Sequence, residues 1–251
     1  MNGEPPVVLQ AIQVTKQYRM GKIIVEALHS IDLTICKGEF VAVMGPSGSG
    51  KSTLLHLLGG LDVPTSGEIY LAGNPLSKLK DHQLTLLRRR KVGFIFQFYN
   101  LLPTLSALEN VALPLLIDGQ TLRSRREWMD DLIERVGLSD RKYHRPDQLS
   151  GGQQQRVAIA RAFVNEPEIV LADELTGNLD SKSSIGILEL LKSACQELSA
   201  TIVMVTHDAR AASYAHRILF LKDGSIVSSL NGGGEQVTLQ EISAKIAELE
   251  E

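Results

Sequence analysis

The sequence predicts an α/β fold around a mainly parallel sheet, and three observations carry that prediction. Four short, continuous apolar runs, at 40–44, 92–96, 169–172 and 201–205, suit strands buried on both faces. Helical stretches lie between them, over 51–61, 125–136, 152–164 and 181–198, as βαβ units require. A glycine-rich loop from Gly45 to Thr53 leaves the first run and opens the first helix.

Before residue 40 the apolar residues alternate more than they run: Val8, Ala11, Ile12 and Val14, then 23–28, then Ile31, Leu33 and Ile35. Alternation of that kind predicts short, half-exposed strands joined by turns, an antiparallel β subdomain at the N-terminus. The stretch 80–165 reads as almost wholly helical, an α-helical subdomain inserted into a sheet core made of 1–79 and 166–230. Asp223-Gly224 joins 218–221 to 225–230 as a hairpin turn. Residues 231–251 form a linker and terminal helix, with Gly232, Gly233 and Gly234 as a flexible break. In that helix Thr238 and Glu241 fit a capping box, and Leu239, Ile242, Ile246 and Leu249 form one apolar stripe. The stripe either packs on its own domain or docks a partner.

A chain of 251 residues makes one or two compact units and buries roughly 75% of its unfolded surface. Its 43% hydrophobic content excludes disorder. Lys+Arg 26 against Asp+Glu 29, a net charge of −3, argues against coating nucleic acid through bulk charge. The longest apolar stretches, such as 111–117, fall short of the ~20 residues that span a bilayer. Cys36 and Cys195 stand alone without ligand spacing and read as small buried hydrophobes of a reducing compartment. Residues 1–8 carry no export signal, so a cytoplasmic location is expected.

Gly45, Pro46, Ser47, Gly48, Ser49, Gly50, Lys51, Ser52 and Thr53 spell the phosphate loop in the strand–loop–helix context its chemistry needs. Glycines let backbone N–H groups turn inward on phosphate oxygens. Lys51 adds a positive charge for the β- and γ-phosphates, and the Ser52 hydroxyl suits Mg²⁺. Nucleotide binding follows, on a phosphate-loop NTPase core.

Asp173 and Glu174 close the run 169–172, where open α/β sheets bind ligands. Asp173 suits the Mg²⁺ shell, and Glu174, one residue on, reaches the water that attacks the γ-phosphate. His207 and Gln97 follow two other runs in the same way. A lone histidine is usually structural, but four runs delivering polar groups to one edge favour a single crevice. Ser150, Gly151, Gly152 and Gln153 repeat the pattern of hydroxyl and glycines at a helix start. They read either as a second anion site or as a simple helix cap. As an anion site they supply half of a composite site, completed by a two-fold partner.

Together these residues resemble the ATP-binding cassette family over essentially residues 6–230. The resemblance implies an ATPase that uses ATP and Mg²⁺ and pairs head to tail with a second copy of itself. It implies that Ser150, Gly151 and Gly152, with Gln153 adjoining, contact the γ-phosphate held by the partner. Gln97 would sense the metal and attacking water, His207 would hold the γ-phosphate, and Asp180 of Gly177-Asn-Leu-Asp180 would bridge the dimer. Tyr18 falls where the family stacks an aromatic ring on adenine; the plain alternative is an exposed strand-end tyrosine.

Within the family, the chain looks most like the lipoprotein-releasing, macrolide-export and division-associated ATPases. The phrases that carry this are His56-Leu-Leu-Gly-Gly-Leu-Asp62, Phe98-Tyr-Asn-Leu-Leu-Pro103 and Thr176-Gly-Asn-Leu-Asp180, with 107–116. The implied partners are integral membrane permease subunits and no nucleic acid, at the cytoplasmic face of the inner membrane. One position departs from the pattern, Leu175, where the family usually has proline. Phe98, Tyr99, Leu101 and Leu102 either line a groove for a permease helix or pack inside the insertion. The basic runs 88–91 and 123–126 read as solvated helix faces. A soluble cassette acting on DNA or ribosomes, and a scaffold that binds ATP without turnover, are the competing functions.

Overall fold

The computed structural model describes residues 5–232 and 237–250, so Gly233 and Gly234 of the expected break, and the start of the N-terminal stretch, lie outside the described residues. β1 (Val7–Met20) and β2 (Ile23–Cys36) open the chain. β3 (Phe40–Met44), α1 (Lys51–Leu58), β4 (Ser66–Leu71) and β5 (Asn74–Pro75) follow. Next come α2 (Asp81–Lys91), β6 (Val92–Ile95), α3 (Ala107–Ile117), α4 (Arg126–Arg135) and α5 (Gly151–Phe163). Then β7 (Ile169–Asp173), α6 (Ser181–Leu198), β8 (Ile202–Thr206) and α7 (Ala209–Ala212) alternate. β9 (Arg217–Lys222), β10 (Ser225–Asn231) and α8 (Leu239–Glu250) end the described chain.

The larger sheet runs β10-β9-β3-β8-β7-β6, parallel from β9 to β6, with β10 antiparallel at one edge. The smaller, antiparallel sheet runs β2-β1-β4-β5. Side chains of the central strands alternate between two cores. Phe40, Ala42 and Met44 of β3 face one core with Val170, Ile202 and Met204. Val41 and Val43 face the other with Leu171, Val203 and the apolar side of α1. Burial on both faces explains why these strands are apolar throughout rather than alternating.

Two differences from the sequence reading have local causes. The expected short N-terminal strands are two strands of 14 residues each. Gln13 and Ser30 both take φ 46°, and the pairing register shifts around Gln13. At such bulges an extra residue breaks the two-residue period without ending the strand. Second, the stretch read as almost wholly helical contains β6, the run 92–96 read as a buried strand, which lies at the sheet edge parallel to β7. The helices that stand away from the sheet are α3 and α4, which reach it through α5.

The hairpin turn is as read, with Asp223 and Gly224 at φ 46° and 73°, the positive pair a tight hairpin demands. The terminal helix packs on its own chain. Its capping box forms between Thr238 and Glu241, Ile242 is fully buried, and Ile246 and Leu249 lean on the same core.

Candidate nucleotide site

Between β3 and α1 the chain must turn sharply from a buried strand into a helix start. Gly48 (φ 81°) and Gly50 (φ 102°) adopt left-handed backbone, which side chains resist. A Cβ at Gly45 would overlap the Leu221 carbonyl oxygen, so only glycine lets the loop lie against β9. Lys51 is buried at the first turn of α1 and its ammonium donates to the carbonyls of Gly45 (2.9 Å) and Pro46 (2.8 Å). Burial pulls this ammonium below the usual lysine range, against the upward pull of Glu174 and Asp173. The Ser49 hydroxyl is buried with no hydrogen-bond partner among the described residues. A left-handed glycine cradle, a desolvated cation and an orphaned hydroxyl fit a polyphosphate.

The Ser52 hydroxyl donates to Asp173 Oδ1 at 3.2 Å, joining the loop to the end of β7. Burial raises the Asp173 carboxyl above its ordinary range, more than Ser52, His56 and Lys51 lower it. Two hard oxygen donors at this spacing fit Mg²⁺, which takes few protein ligands and keeps several waters. Among the described residues no cluster of three His, Cys, Asp or Glu side chains makes an all-protein metal cage.

Because β6, β7 and β8 are parallel neighbours, their carboxyl ends face one crevice. Glu174 follows β7 with φ 41°, and its N–H donates to the Val205 carbonyl at 3.1 Å. Its carboxylate Oε1 lies 3.2 Å from His207 Nδ1, just past β8. Gln97 follows β6; its side-chain nitrogen stands 3.2 Å from where a Cβ on Gly177 would be, and its carbonyl accepts from Asn178 at 3.3 Å. Asp173, Glu174, His207 and Gln97 therefore share an edge with the phosphate loop. Leu175 is 3% exposed and packs into the helical-side core. Among the described residues no backbone hydrogen bond uses its N–H.

Tyr18 lies two residues before the end of β1 in the smaller sheet, and it is exposed. Its hydroxyl donates to Asp62 Oδ2 at 2.9 Å. Lys16 Nζ sits 4.8 Å from the ring centroid. Neither Lys16 nor Asp62 was distinguishable in the sequence, since 46 residues separate this pair.

Ser150, Gly151, Gly152 and Gln153 belong to a different cluster. Ser150 caps α5: its hydroxyl accepts from Gln153 N–H at 3.3 Å while Gln153 Oε1 accepts from Ser150 N–H at 2.9 Å. A Cβ on Gly151 would stand 2.9 Å from the Tyr99 hydroxyl, and one on Gly152 2.9 Å from Ser183 Oγ. Asp180 caps α6, accepting from the N–H groups of Lys182 and Ser183 at 3.0 Å and from Ser183 Oγ at 2.6 Å. Among the described residues no hydrogen bond joins 150–153 to the phosphate loop 45–53. The helix-cap reading of Ser150 is thus true of the single chain, and it leaves the α5 N-terminus pointing outward at glycine backbone.

The apolar cluster after Gln97 divides. Tyr99 and Leu101 pack against the core, whereas Phe98 is 71% exposed and Leu102 is exposed too. A groove of about 470 Å³ lies nearby, its apolar wall including Leu61, Phe94, Phe96 and Ile117, with Arg88 and Arg89 on it. The basic run is tied within the chain: Arg88 donates to the Gly60 carbonyl, Arg89 and Arg90 pair with Asp118, and Lys91 with Glu168.

Residues 28–177 match the ABC transporter family. The chain is 47% identical over 220 residues to the lipoprotein-releasing system ATP-binding protein LolD of Legionella pneumophila, covering 88% of this chain and 97% of that one. It is 48% identical over 239 residues to the macrolide export ATP-binding/permease protein MacB of Hyphomonas neptunium, covering 94% of this chain but 36% of that longer protein. The cassette MJ0796 of Methanocaldococcus jannaschii, solved as a dimer in a post-hydrolysis state with ADP and Pi, superposes with a TM-score of 0.81 at 47% identity. That likeness covers 89% of this chain and 98% of the other.

Proposed function

Because the chain belongs to the ABC transporter family, we propose that it is an ATPase subunit that closes as a pair on ATP to drive a separate membrane permease. The observation that carries this reading is the presence of two half-sites that do not meet. The phosphate loop has Asp173, Glu174, His207 and Gln97 at its edge, while Ser150 and Gln153 cap the start of α5 beside Tyr99 and Ser183. A second copy related by a two-fold axis lays the Ser150 loop of one chain over the phosphates held by the other. The dimeric cassette with ADP and Pi supports that arrangement.

In each composite site, Lys51 and the loop N–H groups hold the β- and γ-phosphates. Ser52, Asp173 and Gln97 hold Mg²⁺, which supplies charge neutralisation when bound. Glu174 orients the attacking water and accepts its proton, His207 steadies both Glu174 and the γ-phosphate, and Asp180 bridges the dimer. The partner's Ser150 loop adds a helix N-terminus to the γ-phosphate. The inserted helices α3 and α4 meet the permease, whose cytoplasmic helix lies in the groove beside Phe94 and Phe96. The lipoprotein-release and macrolide-export relatives favour an export or mechanical-release role at the cytoplasmic face of the inner membrane. No helix among the described residues is long and apolar enough to cross a membrane.

Gel filtration tests the central claim. Glu174→Gln should form a dimer with Mg-ATP, and Lys51→Ala should stay monomeric. A glutamine variant that stays monomeric at every ATP concentration would overturn the proposal, and absence of any hydrolysis by the unaltered chain would favour a scaffold.

A further inference from the structure

We propose that Asp62 and Lys16 are positioning residues for the nucleobase: they tether the Tyr18 ring so that one face is presented to adenine at a fixed place beside the phosphate loop. The proposal rests on the reading that Tyr18 stacks on the base.

Lys16 and Tyr18 are two residues apart on β1 and so project from the same face of the strand. Lys16 is 9% exposed, an unusual state for a lysine, and its ammonium is fully engaged. It donates to Asp62 Oδ1 and to the Val63 carbonyl, both at 2.7 Å, and lies over one face of the Tyr18 ring at 4.8 Å. Asp62 divides its two oxygens. Oδ1 takes Lys16 and the Val63 N–H (2.7 Å), and Oδ2 takes the Tyr18 hydroxyl (2.9 Å). Burial pushes the Asp62 carboxyl up, but these donors together hold it below the ordinary range. The phenol therefore donates to a charged acceptor, the stronger kind of hydrogen bond.

The anchor of this network is not the flexible end of a loop. After α1 the chain folds back: the N–H groups of Leu61 and Asp62 both point at the His56 carbonyl, at 2.8 and 3.4 Å. Asp62 is thereby fixed to the same helix whose first turn carries Lys51 and Ser52. One rigid helix thus sets both the phosphate end and the ring. With Lys16 on one face, the other face of Tyr18 is the one left for a base, and a ring already held in place loses less rotamer freedom on binding.

Calorimetry on the full chain tests this with two ligands, ATP and inorganic tripolyphosphate, which has the phosphates but no base. Tyr18→Phe keeps the ring and removes only the tether; Asp62→Ala and Lys16→Met remove its anchors. Each should weaken ATP by about two- to tenfold, the range a misplaced aromatic contact covers, with tripolyphosphate affinity unchanged. Tyr18→Phe combined with Asp62→Ala should cost no more than the larger single change. If Tyr18→Ala weakens ATP while Tyr18→Phe and Asp62→Ala bind normally, the ring reads the base and the tether is dispensable, which overturns the proposal. If Tyr18→Ala itself binds ATP normally, the base-stacking reading falls and the proposal with it. If tripolyphosphate weakens in step with ATP, the network serves the loop's folding instead. Should Asp62→Ala fail to fold, Tyr18→Phe decides alone, because it exposes no unpaired buried charge.

Discussion

His207 Nδ1 lies 3.2 Å from Glu174 Oε1, so the residues that follow two neighbouring parallel strands meet across the crevice they border. The contact fixes Glu174 from the side while its N–H is fixed below by the Val205 carbonyl. A carboxylate held at two points needs little rearrangement to meet a water in line with a γ-phosphate. His207→Ala should therefore lower turnover by about 10²-fold or more while leaving ATP binding near normal. Steady-state hydrolysis with calorimetric ATP titration checks both halves, and normal turnover would remove His207 from the mechanism.

Leu175→Pro is expected to leave ATP affinity unchanged and to preserve or raise turnover. The residue's N–H makes no backbone hydrogen bond among the described residues, so proline removes none. Proline stiffens the unfolded chain and so offsets only part of the packing lost at a residue that is 3% exposed, and stability should fall by about 1–4 kcal/mol. A large loss of hydrolysis would show that the turn needs leucine.

Burial pushes the Cys195 thiol up to about 12. At about pH 8 it stays protonated and unreactive, since only the thiolate attacks. The folded chain should therefore consume one equivalent of an aromatic disulfide reagent at Cys36, and the second only after unfolding. Two fast equivalents in the folded state would contradict the packing of α6.

Gly93 is a packing glycine. A Cβ there would overlap the Ala162 carbonyl, where α5 crosses β6. Gly93→Ala should cost about 1–3 kcal/mol in denaturant unfolding, the usual penalty of overpacking. An unchanged midpoint would mean that α5 is free to move away from the sheet edge.

Phe98 offers a test of the permease contact. Its apolar ring is 71% exposed on the segment between β6 and α3. Phe98→Asp should leave hydrolysis by the isolated subunit unchanged and abolish its co-purification with the permease from solubilised membranes. Retained co-purification would move the contact elsewhere on the inserted helices.

Much of this was legible in the sequence, for reasons that differ by residue. The phosphate loop is local chemistry: Gly48 and Gly50 need left-handed backbone, and the motif keeps glycine there. The four buried runs emerged because strands covered on both faces are almost wholly apolar, with no alternation to confuse the pattern. β1 and β2 did not emerge at full length, because bulges at Gln13 and Ser30 interrupt the alternation that reveals strands. Ser150 and Gly151 were legible as a motif, but their separation from Lys51 is a tertiary fact. The Lys16–Asp62–Tyr18 tether was invisible, since nothing local marks partners 44 and 46 residues apart.

The alternation of β3, β7 and β8 between two cores has a consequence for how this chain tolerates change. Removing one residue from β7 would send Val170 and Ala172 to the side of Ile169 and Leu171, inverting both cores at once. Removing two would restore the sides but withdraw Asp173 from Ser52 by about 7 Å, two strand steps. The central strands are therefore a ruler. Their composition is open to apolar exchange, but their length sets the reach of every group at the crevice and has no slack in either direction.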